Sequence, residues 1–226
     1  MRSISVLIPV LNDAAALRRL LDRLEALVSE SIIGCEIVVI DGGSTDGSQN
    51  VCAERDCLVI QSAGGRGRQL QAGFEASSGD LIWMLHADTD PDSEALKYLV
   101  TLDAPAWGRF DVRFADGPPF LSVVATLMNW RSRMTGIATG DQAIFAHRSL
   151  LEAIGGVPRQ ALMEDIELSK RLKTRMRPLC SRHIVETSGR RWEARGVIRT
   201  ILSMWRFRLR YWIGADPERL AAEYYS

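Results

Sequence analysis

Acids, glycines and arginines recur at four points where short β-branched runs stop. Asn12 and Asp13 follow the first run, Asp41 the second, Gly64 to Arg68 the third, and His86, Asp88 and Asp90 the fourth. Carboxylates at such points can meet the N–H and hydroxyl donors of a nucleoside or ligate a hard cation. Arginines such as Arg66 and Arg68 can reach a diphosphate through charge-assisted hydrogen bonds. Taken singly, Asp13 and Ser44 also read as helix caps and the glycines as turn formers. Their recurrence at four consecutive strand ends is what favours a site.

The elements that would position these residues follow from periodicity. From Ser3 to about His86, β-branched runs alternate with helical spacing, as in βαβ units of a parallel sheet. Strands are expected at Ile4–Val10, Glu36–Ile40, Leu58–Gln61 and Asp80–Leu85. The first helix carries Leu17, Leu20, Leu21, Leu24, Leu27 and Val28 on one face after a cap at Asn12 or Asp13. A second helix begins near Thr45 and a third spans Arg68 to Ala76. In open parallel sheets the ligand lies beyond the carboxyl ends of the strands, where all four clusters fall. Beyond Asp90 the expected order is a helix near Ser93–Thr101, a strand near Arg109–Phe114, and a helix from Phe120 to about Arg133. A strand at Ala143–His147, a helix at Met163–Arg175 and a long helix from about Gly196 to Ile213 complete it. The fold class is α/β, with a Rossmann-like, mostly parallel central sheet flanked by helices. No boundary is marked, so residues 1–226 read as one domain, with a nucleotide-binding half at about 1–90 and an acceptor half with the C-terminal helix at about 91–226.

Bulk properties exclude some classes. Twenty-eight basic and 28 acidic residues cancel, which gives no bias toward nucleic acid. Cys35, Cys52, Cys57 and Cys180 show no CxxC pair, as expected of reduced thiols in a cytoplasmic protein. Met1 to Leu11 reads as a strand and not a signal peptide, and no run is long enough to cross a bilayer. The first loop, PVLNDAAA, lacks the glycines of a dinucleotide-binding turn, and GRGRQ at Gly65–Gln69 lacks the GK[ST] end of a phosphate loop.

PVLND at Pro9–Asp13, DGGSTDGS at Asp41–Ser48, LHADTD at Leu85–Asp90, GDQAIF at Gly140–Phe145, MEDIELSKRL at Met163–Leu172 and SGRRW at Ser188–Trp192 together resemble family 2 glycosyltransferases of the GT-A fold. The segment Arg131–Phe145 further resembles a small bacterial subgroup associated with radical-SAM and selenium-related proteins. The resemblance implies an inverting, metal-dependent transfer from a UDP- or GDP-sugar to a hydroxyl acceptor. It implies nucleotide contacts at Pro9, Asp13 and Asp41, with Arg66, Arg68 and Arg191 toward the diphosphate. Asp88 matches the last acid of the DxD motif that ligates Mg²⁺ or Mn²⁺. His86 replaces the first, and Asp90 would assist if the extended geometry continues past Asp88. Asp165 matches the general base. Glu164, Gly140, Asp141, Gln142 and Trp192 fall on the acceptor side. Thr187 or Ser188 replaces the glutamine of the QxxRW segment, so processivity is not expected. The alternative is a catalytically weak sugar-nucleotide-binding partner, motivated by His86; a nucleotidyltransferase would need a glycine-rich first loop.

The C-terminal segment sets where such an enzyme would work. Val197, Ile198, Ile201, Leu202, Trp205, Leu209, Trp212 and Ile213 recur at helical spacing beside Arg199, Arg206, Arg208 and Arg210. Such a helix either docks on the sheet or lies in a membrane interface. Phe207 and Arg208 lie off the main stripe and are expected to add surface for peripheral contact at the inner face of the membrane, beside a lipid-linked acceptor.

Overall fold

A computed structural model describes residues 3–29, 34–53 and 55–225, with the side chains of Arg191, Ala194, Arg195, Ile198 and Tyr225 outside the description. In chain order the elements of the first half are β1 (Ile4–Val10), α1 (Ala14–Ser29), β2 (Cys35–Asp41), α2 (Ser48–Ala53), β3 (Leu58–Gln61), α3 (Arg66–Ala76) and β4 (Leu81–Met84). There follow β5 (Thr89–Pro91), α4 (Ser93–Val100), β6 (Trp107–Phe114), α5 (Leu121–Thr135), a 3₁₀ turn at Gly140–Gln142, β7 (Phe145–His147), α6 (Arg148–Glu152) and α7 (Glu164–Lys173). β8 (Leu179–Thr187), α8 (Arg190–Arg195), α9 (Val197–Trp212) and α10 (Pro217–Tyr225) complete the described elements.

The strands form one eight-stranded sheet in the order β3-β2-β1-β4-β7-β6-β8-β5. The pairs β1–β2, β1–β4, β2–β3 and β6–β8 are parallel, whereas β7 and β5 join antiparallel. The expected α/β architecture with a mostly parallel sheet is therefore what the chain adopts. Strand alternation divides the core between the two faces. Ile4, Val6, Ile8 and Val10 pack with α1 and α4, while Leu7, Val38 and Ile40 pack with α3 and α7 on the other side. Close approach of α3 depends on glycine. A Cβ on Gly73 would lie 2.6 Å from Ile40 Cδ1, and one on Gly67 2.4 Å from the Pro158 carbonyl.

The structure departs from the sequence expectations at several points. α2 starts at Ser48 instead of near Thr45, because the Thr45 amide is committed to Asn12 Oδ1 at 2.8 Å. The α1 amide of Ala14 is capped by Asp46 Oδ2 at 2.8 Å, from the next loop, while the Asp13 carboxylate turns to Arg190 at 3.0 Å. β5, β8, α6, α8 and α10 were not read from the sequence.

Candidate active site

The site is built first from the carboxyl ends of β1 and β2. Gln69 is buried in α3, and its Nε2 donates to the carbonyls of Val10 at 2.9 Å and Ile40 at 2.7 Å, which ties the two strand ends together. Asn12 takes a left-handed conformation, φ 51°, which asparagine tolerates better than most residues. Its amide donates to Ser44 Oγ at 2.9 Å. Asp41 is buried at the end of β2 and accepts from the Ser44 amide at 3.0 Å and from Gln49 Nε2 at 2.7 Å. Burial opposes its ionisation, but these hydrogen bonds outweigh that cost and hold its carboxyl below the usual range.

Beyond these ends opens a cleft of about 640 Å³, the size of a small-molecule site. Pro9, Asp13, Arg66, Asp88, Asp141 and Trp192 all line it, and Thr200, Met204, Glu218 and Ala221 of the last two helices cover one side. At its inner edge Arg66 Nη1 lies 3.3 Å from Glu164 Oε1 and His86 Nδ1 lies 3.1 Å from Asp141 Oδ1. Burial pushes the Glu164 carboxyl up, with Arg66 opposing and Asp165 adding to the rise. Asp165 is fixed by two amides: Gly140 donates to Oδ2 at 3.0 Å and Ile166 to Oδ1 at 2.7 Å. Met163, just before this acidic pair, has φ 63°, so backbone strain is stored where the two carboxylates are aimed. Gly140 is a contact point: a Cβ there would lie 2.3 Å from His86 Nε2 and 3.1 Å from Arg66 Nη1.

Several expected site residues fall elsewhere. Ala87 and Asp88 turn, with the Thr89 amide donating to the His86 carbonyl at 3.0 Å, so the strand alternation that would put Asp90 beside Asp88 does not hold. Asp90 instead pairs with Arg23 at 3.2 Å in a second groove on α1, which Asp88 also borders, and stands across from Glu186 of β8. Gln142 is fully buried. Its amide donates to Asn129 and Ser132 and its oxygen accepts from the Thr139 amide, so it shapes the turn and does not reach an acceptor. Arg68 does not line the cleft and pairs with Glu218 at 2.8 Å. Asp41 likewise sits behind the cleft wall. The side chain of Arg191 lies outside the described residues. Phe207, expected on the outer surface, is buried edge-on to Tyr224, and with Arg208 it lines a smaller pocket beside Asp165. Trp192 packs edge-on against Phe114 at 5.6 Å between ring centres and forms cleft wall. Sequence reasoning missed Gln69, Asp46 and the α10 roof; the last had a signal in Asp216–Pro217, a cap followed by a first-turn proline.

Among the described residues no three His, Cys, Asp or Glu side chains cluster as a metal cage. Asp88, half-buried in the cleft wall, still fits a hard cation that takes one or two carboxylates and completes its shell with phosphate oxygens and waters.

Comparison with known proteins agrees with this architecture. Glucosyl-3-phosphoglycerate synthase from Mycobacterium tuberculosis, solved with Mn²⁺, UDP and glucosyl-3-phosphoglycerate, superposes with a TM-score of 0.60 at 20% identity, over 83% of this chain and 70% of that one. S. aureus TarS 1-349 gives 0.61 at 15% identity, over 83% and 60%. These likenesses define the fold as the GT-A type. Residues 5–118 match the model for glycosyl transferase family 2, and the chain belongs to that family. It is 33% identical over 170 residues to the undecaprenyl-phosphate 4-deoxy-4-formamido-L-arabinose transferase of Pseudomonas aeruginosa, covering 67% of this chain and 49% of that protein. The same-named protein of Aeromonas hydrophila is 34% identical over 107 residues, 43% of this chain and 32% of the relative. The chain thus spans about half the length, or less, of these curated relatives.

Proposed function

We propose that this chain is an inverting glycosyltransferase that moves a hexose or similar sugar from a UDP- or GDP-sugar to a hydroxyl acceptor with the help of a divalent metal. The observation that carries the reading is the pairing of Arg66 with the Glu164–Asp165 step. Arg66, a cation for the donor phosphates, lines the cleft with Asp13 and Asp88, and it also borders the smaller pocket where two amides orient the Asp165 carboxylate for the acceptor.

In this reading the acceptor oxygen attacks the anomeric carbon from the face opposite the diphosphate. A new C–O bond forms as the bond to the diphosphate breaks, and its electron pair leaves with the nucleoside diphosphate. The acceptor proton passes to Asp165. The two backbone amides hold that carboxylate in place, and each oxygen keeps a further lone pair with which to accept. Arg66 neutralises charge at the diphosphate. Asp88 would hold Mg²⁺ or Mn²⁺, which supplies charge stabilisation to the leaving group when bound. Asp13, and Asp41 through the loop it anchors, shape the nucleotide end. The nucleotide half would run to about residue 90 and the acceptor half from 91.

Two features bear on the acceptor's setting. The relatives are named for transfer to undecaprenyl phosphate, and two adjacent helices expose apolar stripes. On α5 these are Phe120 at its cap, Val123, Leu127, Trp130 and Met134; on α9 they are Leu202, Trp205, Leu209 and Trp212, with Ile213 just beyond. The inner faces of α5 and α9 share one hydrophobic cluster. With Arg199 and Arg206 exposed nearby, they fit an anionic lipid surface, whereas no helix among the described residues is long and apolar enough to cross a membrane. The acceptor is then lipid-linked and met at the membrane face. The likeness of Arg131–Phe145 to the radical-SAM and selenium-associated subgroup names no substrate. The test is a panel of UDP- and GDP-sugars scored for metal-dependent release of nucleoside diphosphate without acceptor. Failure of every donor to bind or hydrolyse refutes the reading.

A further inference from the structure

Asp165 takes one of its two amide bonds from outside its own helix, where Gly140 donates to Oδ2 at 3.0 Å. Gly140 opens a 3₁₀ turn of three residues, too short to hold its shape alone. Ala143, which closes that turn, is fully buried at φ 48°, a state that alanine keeps only where its surroundings impose it.

The restraint begins on the sheet. β7 starts opposite Gly108, so farther along, this edge of β6 must find other partners. At Val112 the Asn129 side chain of α5 supplies them: its Oδ1 accepts from the Val112 amide and its Nδ2 donates to the Val112 carbonyl, both at 3.0 Å. The strand thereby fixes which way the Asn129 amide points. A second lone pair on Oδ1 accepts from Gln142 Nε2 at 3.1 Å, and the same nitrogen donates to Ser132 Oγ at 3.0 Å. With Nε2 committed, Gln142 Oε1 faces the other way and accepts from the Thr139 amide at 3.2 Å, just before the turn. Gln142, Ser132 and Thr139 are buried, so water does not compete for these bonds. The near side of the turn is pinned to α7 itself, where the Ala138 amide donates to Ser169 Oγ at 3.0 Å, one helical turn past Asp165. The turn is held between β6 with α5 on one side and α7 on the other, and the Gly140 amide is where that frame meets the carboxylate.

We infer that Gln142 and Asn129 are positioning residues for the transfer reaction: through the turn they set where the Gly140 amide sits, and so aim Asp165 at the acceptor oxygen. Neither side chain lines the cleft or the Asp165 pocket. This rests on the reading of Asp165 as the base. The bond pattern also requires an amide at position 142, because a carboxylate there would set acceptor against acceptor at Asn129 Oδ1.

The test places each substitution in two backgrounds, wild type and Asp165→Asn, and reads nucleoside diphosphate release, donor affinity by calorimetry and thermal melting. Gln142→Met keeps the length and removes the polar end; it should lower turnover ~10–100-fold, as misplacing a reacting group does, while donor affinity stays within about twofold of wild type. Gln142→Glu should fare no better. In the Asp165→Asn background Gln142→Met should cost almost nothing further, because no base is left to aim. Ser132→Ala removes one bond to Gln142 with little risk to folding and should repeat the pattern at about threefold; it decides the matter where Gln142→Met melts below the assay temperature. Hydrogen exchange at the Gly140 amide, which needs no turnover, should quicken about tenfold in Gln142→Met. Equal losses in the two backgrounds, or turnover and Gly140 exchange unchanged in both Gln142→Met and Ser132→Ala, overturn the positioning role and leave the base assignment standing. If Asp165→Asn alone turns over like wild type, the base assignment fails and the positioning role falls with it.

Discussion

Gly140→Ala is the substitution whose effect the geometry constrains most tightly. The added methyl would sit 2.3 Å from His86 Nε2 and 2.7 Å from Cε1, well inside van der Waals contact. The imidazole cannot simply swing away, because its Nδ1 is engaged by Asp141 at 3.1 Å and Nε2 is already buried. Either the ring leaves its partner or the Gly140–Gln142 turn lifts, and lifting the turn draws the Gly140 amide from Asp165 Oδ2. Overpacking of this kind costs ~1–3 kcal/mol, which in a chain of this size lowers the melting temperature by about 2–4 °C per kcal/mol. Misplacing the carboxylate should also lower turnover by a factor on the order of 10². The assay is a double-mutant cycle of Gly140→Ala with His86→Ala, read by thermal melts and by nucleotide-sugar turnover. Removing the ring should restore most of the lost stability, a coupling of ~0.5–3 kcal/mol. A Gly140→Ala protein that melts and turns over like wild type, or a cycle with no coupling, refutes the packing argument.

Asp165→Asn should lower turnover by a factor on the order of 10² to 10⁴ while donor affinity, measured calorimetrically, holds; unchanged turnover removes it as the base. Asp88→Ala should abolish metal-dependent donor binding, whereas Asp90→Ala should leave it nearly intact because Asp90 is paired with Arg23 and does not line the donor cleft; equally tight donor binding with and without EDTA sinks the metal assignment. Asp41 has a lowered folded-state pKa, so its stabilisation is present above the unfolded value of about 3.9 and is lost as pH falls through the folded one. The gap in urea midpoint between wild type and Asp41→Asn should therefore close on going from pH 7 to pH 3, and a constant gap contradicts this. Sedimentation with phosphatidylglycerol vesicles should carry the protein down at low salt, less at moderate salt, and less again for Trp130→Ser with Trp205→Ser; protein left in the supernatant at both salts rules out the lipid surface.

The first half of the fold was legible because β1 and β4 are buried on both faces, β2 is largely so, and α1 is buried on one face. Ile4–Val10 and Leu58–Gln61 are the strands expected from the sequence to the residue, since a short apolar run rich in Ile and Val that stops at polar residues has few other readings. β8 was not, because LCSRHIVET alternates buried Ser181, Val185 and Thr187 with half-exposed polar residues and resembles a loop in composition. The acids and arginines that converge on the cleft were legible by type. Their orientation was not, because it depends on one turn at Ala87–Asp88 that sends Asp90 to α1, and on tertiary bonds that bury Gln142. Gln69 illustrates the same limit: nothing local distinguishes it from a solvated helix residue, and only the convergence of the Val10 and Ile40 carbonyls gives it a role.

The long helix near the C-terminus carries the largest reinterpretation. Read as sequence, α9 has one apolar stripe, with Phe207 and Arg208 left over. In the fold it has two working faces. Thr200, Met204, Phe207 and Arg208 turn inward over the cleft and the Asp165 pocket, while Leu202, Trp205, Leu209 and Trp212 turn outward, with Trp212 80% exposed. The spacing of each set fits one side of a helix, so the residues that broke the single-stripe pattern belong to the second side. Tyr211 ties the helix to the body through Glu167 at 2.9 Å and Gln160 at 3.3 Å, and Arg210 pairs with Glu223 of α10. Whatever engages the outer stripe therefore acts on the same helix that covers the cleft and the Asp165 pocket. α5 repeats this division, with Val123, Leu127 and Trp130 exposed on one side and Val124, Ala125 and Met128 buried on the other.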